Sequence, residues 1–199
     1  MTYLDMLRRV MGRAKGCPEG EAADAMREAC AEFITDTRCW LDDQVIPTSG
    51  TVPEVDVLTR LVLDFVEASI EGKPVMVAFY NDPELRDLSP SDWALTFTQP
   101  SGVLTLVPVP ASTVPLRLVR IMAPGPESDE VPDWIWAKHT EALQHGCLAR
   151  LLAQPSKPWT DQATAGFYES KFRIAVTEAT AEYGHNRRTV ARRLRVKPA

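Results

Sequence analysis

Residues 131–158 read VPDWIWAKHTEALQHGCLARLLAQPSKP, and WTDQ at 159–162 opens a second helical stretch. Ile135, Leu143, Cys147 and Leu151 recur at spacings of four and eight, which puts them on one face of a helix over about 132–153. Gln154-Pro155-Ser156-Lys157-Pro158 stops it, because proline removes a backbone donor and clashes with the preceding turn. Thr160 reads as the cap of the next helix, with Tyr168, Phe172, Ala175, Ala179 and Tyr183 as its apolar stripe. Gly184 reads as its C-terminal stop. Two amphipathic helices on a proline-clamped turn, acidic in front and basic behind, point to an assembly part rather than an enzyme.

Toward the N-terminus, Thr2 and Asp5 have the spacing of a capping box, and Leu4, Leu7, Val10 and Met11 fall on one helical face. Gly12 and Gly16 weaken this segment, and Pro18 suits the first position of a new helix. Glu19 and Glu21 favour its positive end. Ala22, Met26, Ala29, Cys30, Phe33 and Ile34 then form a stripe up to about Thr37.

The texture changes after Trp40. Residues 40–126 hold most of the prolines and β-branched residues. Val55–Val66 reads as strand, followed by a turn at Glu71-Gly72-Lys73-Pro74. Trp93, Leu95 and Phe97 alternate with smaller residues, as in a half-buried strand. Gln99-Pro100-Ser101-Gly102 has the placement of a type I turn, returning the chain through Val103–Val107, and a further strand is expected at Val114–Met122. The expectation is an α+β protein: four main helices drawn from both chain ends, with a small antiparallel sheet inserted. Its divisions are 1–39 (N-terminal helices), 40–126 (β-rich insertion), 127–184 (C-terminal helical pair) and 185–199 (basic arm).

A chain of 199 residues, 45% hydrophobic and 25% charged, suits one sizeable domain or two small lobes with packed cores. No apolar run approaches the ~18 residues of a membrane span, and the N-terminus lacks the layout of a secretory signal. Cys17, Cys30, Cys39 and Cys147 show no C-x-x-C spacing and read as reduced, buried or half-buried thiols in a cytoplasmic setting. Net charge is −5, unevenly spread. Residues 185–199 carry Arg187, Arg188, Arg192, Arg193, Arg195 and Lys197 with no acid, which leaves 16 cations against 27 acids, a net −11, over residues 1–184. Val190, Leu194 and Val196 interleave with these cations, a mixture suited to a segment that folds onto a partner.

Catalytic signatures are absent from the sequence: no G-x-S-x-G, P-loop, G-x-G-x-x-G or H-E-x-x-H occurs. Asp42 and Asp43 are adjacent, so on a strand they face opposite ways. Cys39 has only distant histidines, and His139 and His145 are six apart, off the i, i+4 spacing of a shared helix face. Neither metal nor cofactor is expected. Trp134, Trp136 and Trp159 bracket the C-terminal helices, and core packing should account for at least two of them. Trp134 and Trp136 cannot face the same way on a helix, so one of the two is a candidate for a subunit or lobe interface.

In the order of its features the chain resembles the bacteriophage head-to-tail adaptor (connector, head completion) proteins. The features are the N-terminal helices ending at Phe33–Trp40, the Val/Pro-rich region with Asp64-Phe65-Val66-Glu67-Ala68 and Gly72-Lys73-Pro74, and the acidic approach Val131-Pro132-Asp133-Trp134. Gly146–Leu152, Lys157-Pro158-Trp159-Thr160, Tyr168-x-x-x-Phe172 and the Arg-rich end complete them. The resemblance implies a virion protein assembled in the host cytoplasm. It would form a ring beneath the portal protein, typically a dodecamer, that surrounds the passing DNA and offers a lower face to tail or nozzle proteins. It further implies that the basic arm docks on the portal. A DNA-binding protein using that arm, a neighbouring tail-completion protein and a small enzyme of another type are the alternatives.

Overall fold

The computed structural model describes residues 2–52, 59–79, 93–98 and 103–194, without the side chains of 78, 79, 97, 98, 103 and 185–194. The fold is α+β, and the chain divides into two compact units, Met1–Trp40 with Ala123–Ala199, and Leu41–Met122. The first is helical: α1 (Tyr3–Met6), α2 (Arg8–Met11), α3 (Glu19–Thr37), α4 (Asp133–Ala153) and α5 (Gln162–Leu194). Among the described residues five helices thus replace the four expected, because the N-terminal segment breaks at Leu7, whose N–H bonds the Leu4 carbonyl in a tight turn. The capping box forms as read, with Asp5 N–H donating to Thr2 Oγ1 and Thr2 N–H to Asp5 Oδ2. The face differs, however: Tyr3, Met6, Leu7 and Val10 are buried while Leu4 is 59% exposed.

The core of this unit lies where α3, α4 and α5 meet. Ala22, Met26, Ala29, Cys30, Phe33 and Ile34 are all fully buried, as their spacing on α3 requires. α4 contributes Ile135, Leu143, Cys147 and Leu151, and α5 contributes Phe172 with Tyr168, Val176 and Ala179. Gly146 allows the close approach: a Cβ there would stand 2.8 Å from the Phe172 ring and 3.0 Å from the Ala29 Cβ. All four cysteines are free and buried, and burial pushes the Cys147 thiol up to about 12. An ionic seam follows the same helices, with Arg150 reaching Glu28 and Glu32, and Arg173 reaching Glu32, Asp36 and Glu169.

Two details of the C-terminal pair depart from the sequence reading. Asp161 caps α5 rather than Thr160, accepting from Thr164 N–H at 3.1 Å. Thr160 is engaged by the turn itself, donating to the Gln154 carbonyl and accepting from Lys157 N–H. Nor does Gly184 end α5, which continues to Leu194. The residues that follow it are mostly ordinary helix formers such as Arg187, Arg188, Ala191, Arg192 and Arg193, with no proline before Leu194 to stop the run.

The second unit holds β1 (Leu41–Thr48), β2 (Thr51–Val52), β3 (Arg60–Ile70), β4 (Lys73–Pro74), β5 (Met76–Phe79), β6 (Ala94–Thr98), β7 (Val103–Val107) and most of β8 (Val114–Pro124). They form two four-stranded sheets rather than one, ordered β1-β8-β3-β4 and β2-β7-β6-β5. The second sheet is mixed, because β5 runs parallel to β6 from Met76↔Ala94 to Phe79↔Phe97. β6 and β7 pair antiparallel as the expected hairpin, whose turn residues 99–102 lie outside the described residues, as do residues 55–58 of the expected Val55–Val66 strand. Between β3 and β4, Glu71 (φ 51°) and Gly72 (φ 78°) both take positive φ, the conformation of a two-residue type I′ hairpin turn. The alternation expected around Trp93 is replaced by burial on both faces, since Ala94, Leu95 and Thr96 are all buried. Leu95, Leu104, Leu106, Leu116, Leu118, Ile70 and Val52 belong to the apolar core of this unit.

Candidate assembly surfaces

Charged residues that might have suggested chemistry are committed to structure. Asp42 and Asp43 diverge as adjacent strand residues should. Asp42 accepts from Arg120, which is 4% exposed, and Asp43 accepts from Arg117 at 2.8 and 3.0 Å. The hydrogen bonds from Arg117 hold the Asp43 carboxyl below its ordinary value. Glu67 on β3 lies 3.5 Å from the same guanidinium, so Arg117 links the charges of three neighbouring strands.

His139 and His145 both line a groove of about 400 Å³ between α4 and α5, with Lys138, Glu141, Lys171, Ile174 and Glu182. The α4 backbone leaves helical geometry at His139 (φ −118°, ψ 20°). His139 sits 4.7 Å from the Phe33 ring centroid and hydrogen-bonds Tyr183 Oη at 2.8 Å. His145 stacks on Tyr168 at 5.3 Å. Burial lowers both imidazole pKa values. Among the described residues no group of three His, Cys, Asp or Glu side chains is placed to hold a metal ion.

The tryptophans separate. Trp159 is buried in the turn between α4 and α5, donating from Nε1 to Gln154 Oε1 at 3.3 Å, with Lys157 Nζ 5.4 Å from its ring. In the first turn of α4, Trp134 is 43% exposed and Trp136 is half-buried. Of the basic arm, Arg187, Arg188, Arg192 and Arg193 belong to the last turns of α5, while Arg195 and Lys197 lie outside the described residues.

The sequence reading missed a second exposed apolar pair. Phe167 and Ile174 lie seven residues apart on one face of α5 and are 56% and 54% exposed, with Lys171 Nζ 5.7 Å from the Phe167 ring. Their spacing was the available signal; the stripe through Tyr168 and Phe172 masked it by accounting for the helix as core-facing. Exposed aromatic and aliphatic side chains held on a rigid helix are the raw material of a protein contact.

What remains is an α+β protein with large apolar side chains exposed on its helices (Leu4, Trp134, Phe167 and Ile174) and, in the sheet unit, at Val45 and Val109 among others. The family model described as SU10 adaptor protein matches residues 1–197. The chain belongs to the SU10 adaptor protein family, which makes it a structural phage protein of the head-to-tail adaptor type. No curated protein sequence matches it. Among the described residues no helix is long and apolar enough to cross a membrane.

Proposed function

We propose that the chain is a head-to-tail adaptor that binds beneath the portal, assembles there as a ring, typically a dodecamer, extends the DNA channel and presents a surface for tail or nozzle proteins. The observation that carries this reading is the family match, which spans both helical ends and reaches into the basic arm. The apolar side chains exposed on α4 and α5 supply anchors for contacts between protein chains. Repetition around a ring multiplies weak contacts, so modest pairwise affinity suffices once the portal gathers the copies. The basic arm is the proposed portal contact, and Trp134 the proposed subunit contact.

The test is negative-stain imaging with light-scattering mass, on this protein mixed with its cognate portal and on each alone. A second ring layer on the portal is expected, from a protein that is monomeric by itself. Bare portals, or rings that form spontaneously at low concentration, contradict the reading. Truncation after Gly184 should abolish attachment while the α3–α4–α5 core stays folded, and retained attachment would remove the arm from the contact.

A further inference from the structure

A second cationic segment sits at the other end of the chain. From Met6 to Pro18 there are four cations, Arg8, Arg9, Arg13 and Lys15, and no acid. All four are exposed, while Leu7, Val10, Ala14 and Cys17 between them are buried and pin the backbone to the helical unit. Elsewhere in this unit most cations with described side chains are paired, Lys171 being an exception. Arg27, Lys138, Arg150, Lys157 and Arg173 each reach a carboxylate within 4.0 Å. Arg8, Arg9, Arg13 and Lys15 reach none among the described residues. Arg13 donates to Tyr168 Oη, which fixes one guanidinium in place without neutralising it.

Arg9 and Arg13 border a shallow groove of about 310 Å³ that Gln144 and His145 also line. The one carboxylate on it is Glu141, which is 3.9 Å from His145. Lys171 lies close enough to add to the field of Arg13 at His145. The local balance is therefore positive on a chain whose first 184 residues carry −11.

We infer that Arg8, Arg9, Arg13 and Lys15 form a contact site for the phosphate backbone of duplex DNA, separate from the C-terminal arm. The composition of the strip selects this partner over a protein. Its other exposed residues are Gly12, Gly16 and Pro18, with Met11 half-buried, and it exposes no aromatic or branched aliphatic side chain, whereas a protein interface needs an apolar centre. Phosphates need only positioned cations, and three of the four are arginines, whose guanidinium forks fit phosphate oxygens. An ordered backbone lowers the ordering cost of binding. The inference rests on the proposed adaptor reading only for naming DNA as the polyanion within reach. Its test uses the isolated full chain, so portal attachment can fail without deciding it.

The experiment is fluorescence anisotropy of a short labelled DNA duplex, titrated across a salt series with the unaltered chain, an R8Q/R9Q/K15Q variant, an R8K/R9K variant and the chain truncated after Gly184. Each phosphate contact contributes about 0.9 to the slope of log K against log salt, so the triple variant should lower that slope by about 2 to 3. R8K/R9K keeps the charge and should keep the slope. The triple variant should show the same relative loss when made in the truncated chain. Arg13 is left untouched because of its bond to Tyr168, and far-UV circular dichroism checks the fold. Should the triple variant lose helicity, the single variants R9Q and K15Q replace it, each lowering the slope by about 1. Absence of DNA binding at low salt overturns the inference, as does a slope that the strip variants leave unchanged. An altered self-association with unchanged DNA binding also overturns it, and assigns the strip to a protein contact.

Discussion

His139 sits at the break in the α4 backbone, with its ring against Phe33 and its Nε2 on Tyr183. Burial, helped by the neighbouring Lys138 cation, lowers its pKa, and Glu182 opposes this. The unfolded imidazole titrates near 6.5, so the folded state binds fewer protons below that value. Its contribution to stability is therefore complete above about pH 6.5 and declines as pH falls toward the lower folded value. His145 is shifted the same way, chiefly by burial. Thermal midpoints should hold between pH 8 and 7 and drop below about 6.5, and an H139Q/H145Q variant should flatten that decline. Gly146 is the other residue where a small change has a large effect. Gly146→Ala places a methyl 2.8 Å from the Phe172 ring and should cost about 1–3 kcal/mol through overpacking. Phe172→Ala should cost about 3–5 kcal/mol. In the double variant the Phe172 ring is gone and only the Ala29 Cβ contact at 3.0 Å remains, so denaturant midpoints should show a loss well short of the sum.

At the scale of elements, the α4–α5 connection repays attention because two adjacent residues compete for one job. Thr160 and Asp161 are both good caps. Thr160 is claimed by the Gln154 carbonyl and the Lys157 amide, which fold the turn back on itself, and Asp161 is left to receive Thr164 N–H. The Thr164 hydroxyl, donating to Asp161 Oδ2, and then the Thr164 N–H lower the Asp161 carboxyl pKa. Asp161→Ala should lower the thermal midpoint and increase amide exchange in the first turn of α5. Thr160→Ala should instead loosen the turn, with exchange rising at Lys157. Identical exchange patterns for the two variants would contradict this division. The same competition explains why the helix itself was legible in the sequence and its cap was off by one. Periodicity identifies the helix; the choice between neighbouring caps depends on a carbonyl six residues upstream that only the folded turn brings near.

At the scale of the whole molecule, the helical unit is assembled from both chain ends and the sheet unit interrupts it. Where the chain leaves and returns, β1 and β8 are antiparallel neighbours, with Leu41 opposite Ile121 and Asp42 opposite Arg120. Such pairs stand about 5 Å apart, a gap that a two-residue hairpin closes. Replacing residues 43–119 by Asn-Gly should therefore leave the α3–α4–α5 core folded, read as helical circular dichroism with a cooperative melt. A non-cooperative melt would show that the helical core needs the sheet unit. In the sequence, the α+β class, the extents of α3 and α4, the β6–β7 hairpin and the separation of Asp42 from Asp43 could all be read, because each follows from local periodicity or strand alternation. The parallel β5–β6 pair, the division of the strands into two sheets and the exposure of Phe167 could not. They depend on partners distant in the chain.

The α+β class, the long helices α3, α4 and α5, the β6–β7 hairpin and the lopsided charge were thus determined by the sequence alone, through spacings of two, three and four residues and a simple count of ions, whereas β1, β2, β4 and β5 were not expected from it. Only the tertiary structure decided which face of α1 turned inward, where Gly146 had to be bare, and that His139 and His145 share a groove. It alone showed which cations find carboxylates and which, like Arg8 and Arg9, reach none among the described residues. Packing and ion pairing join residues a hundred or more positions apart, and no local spacing carries that information.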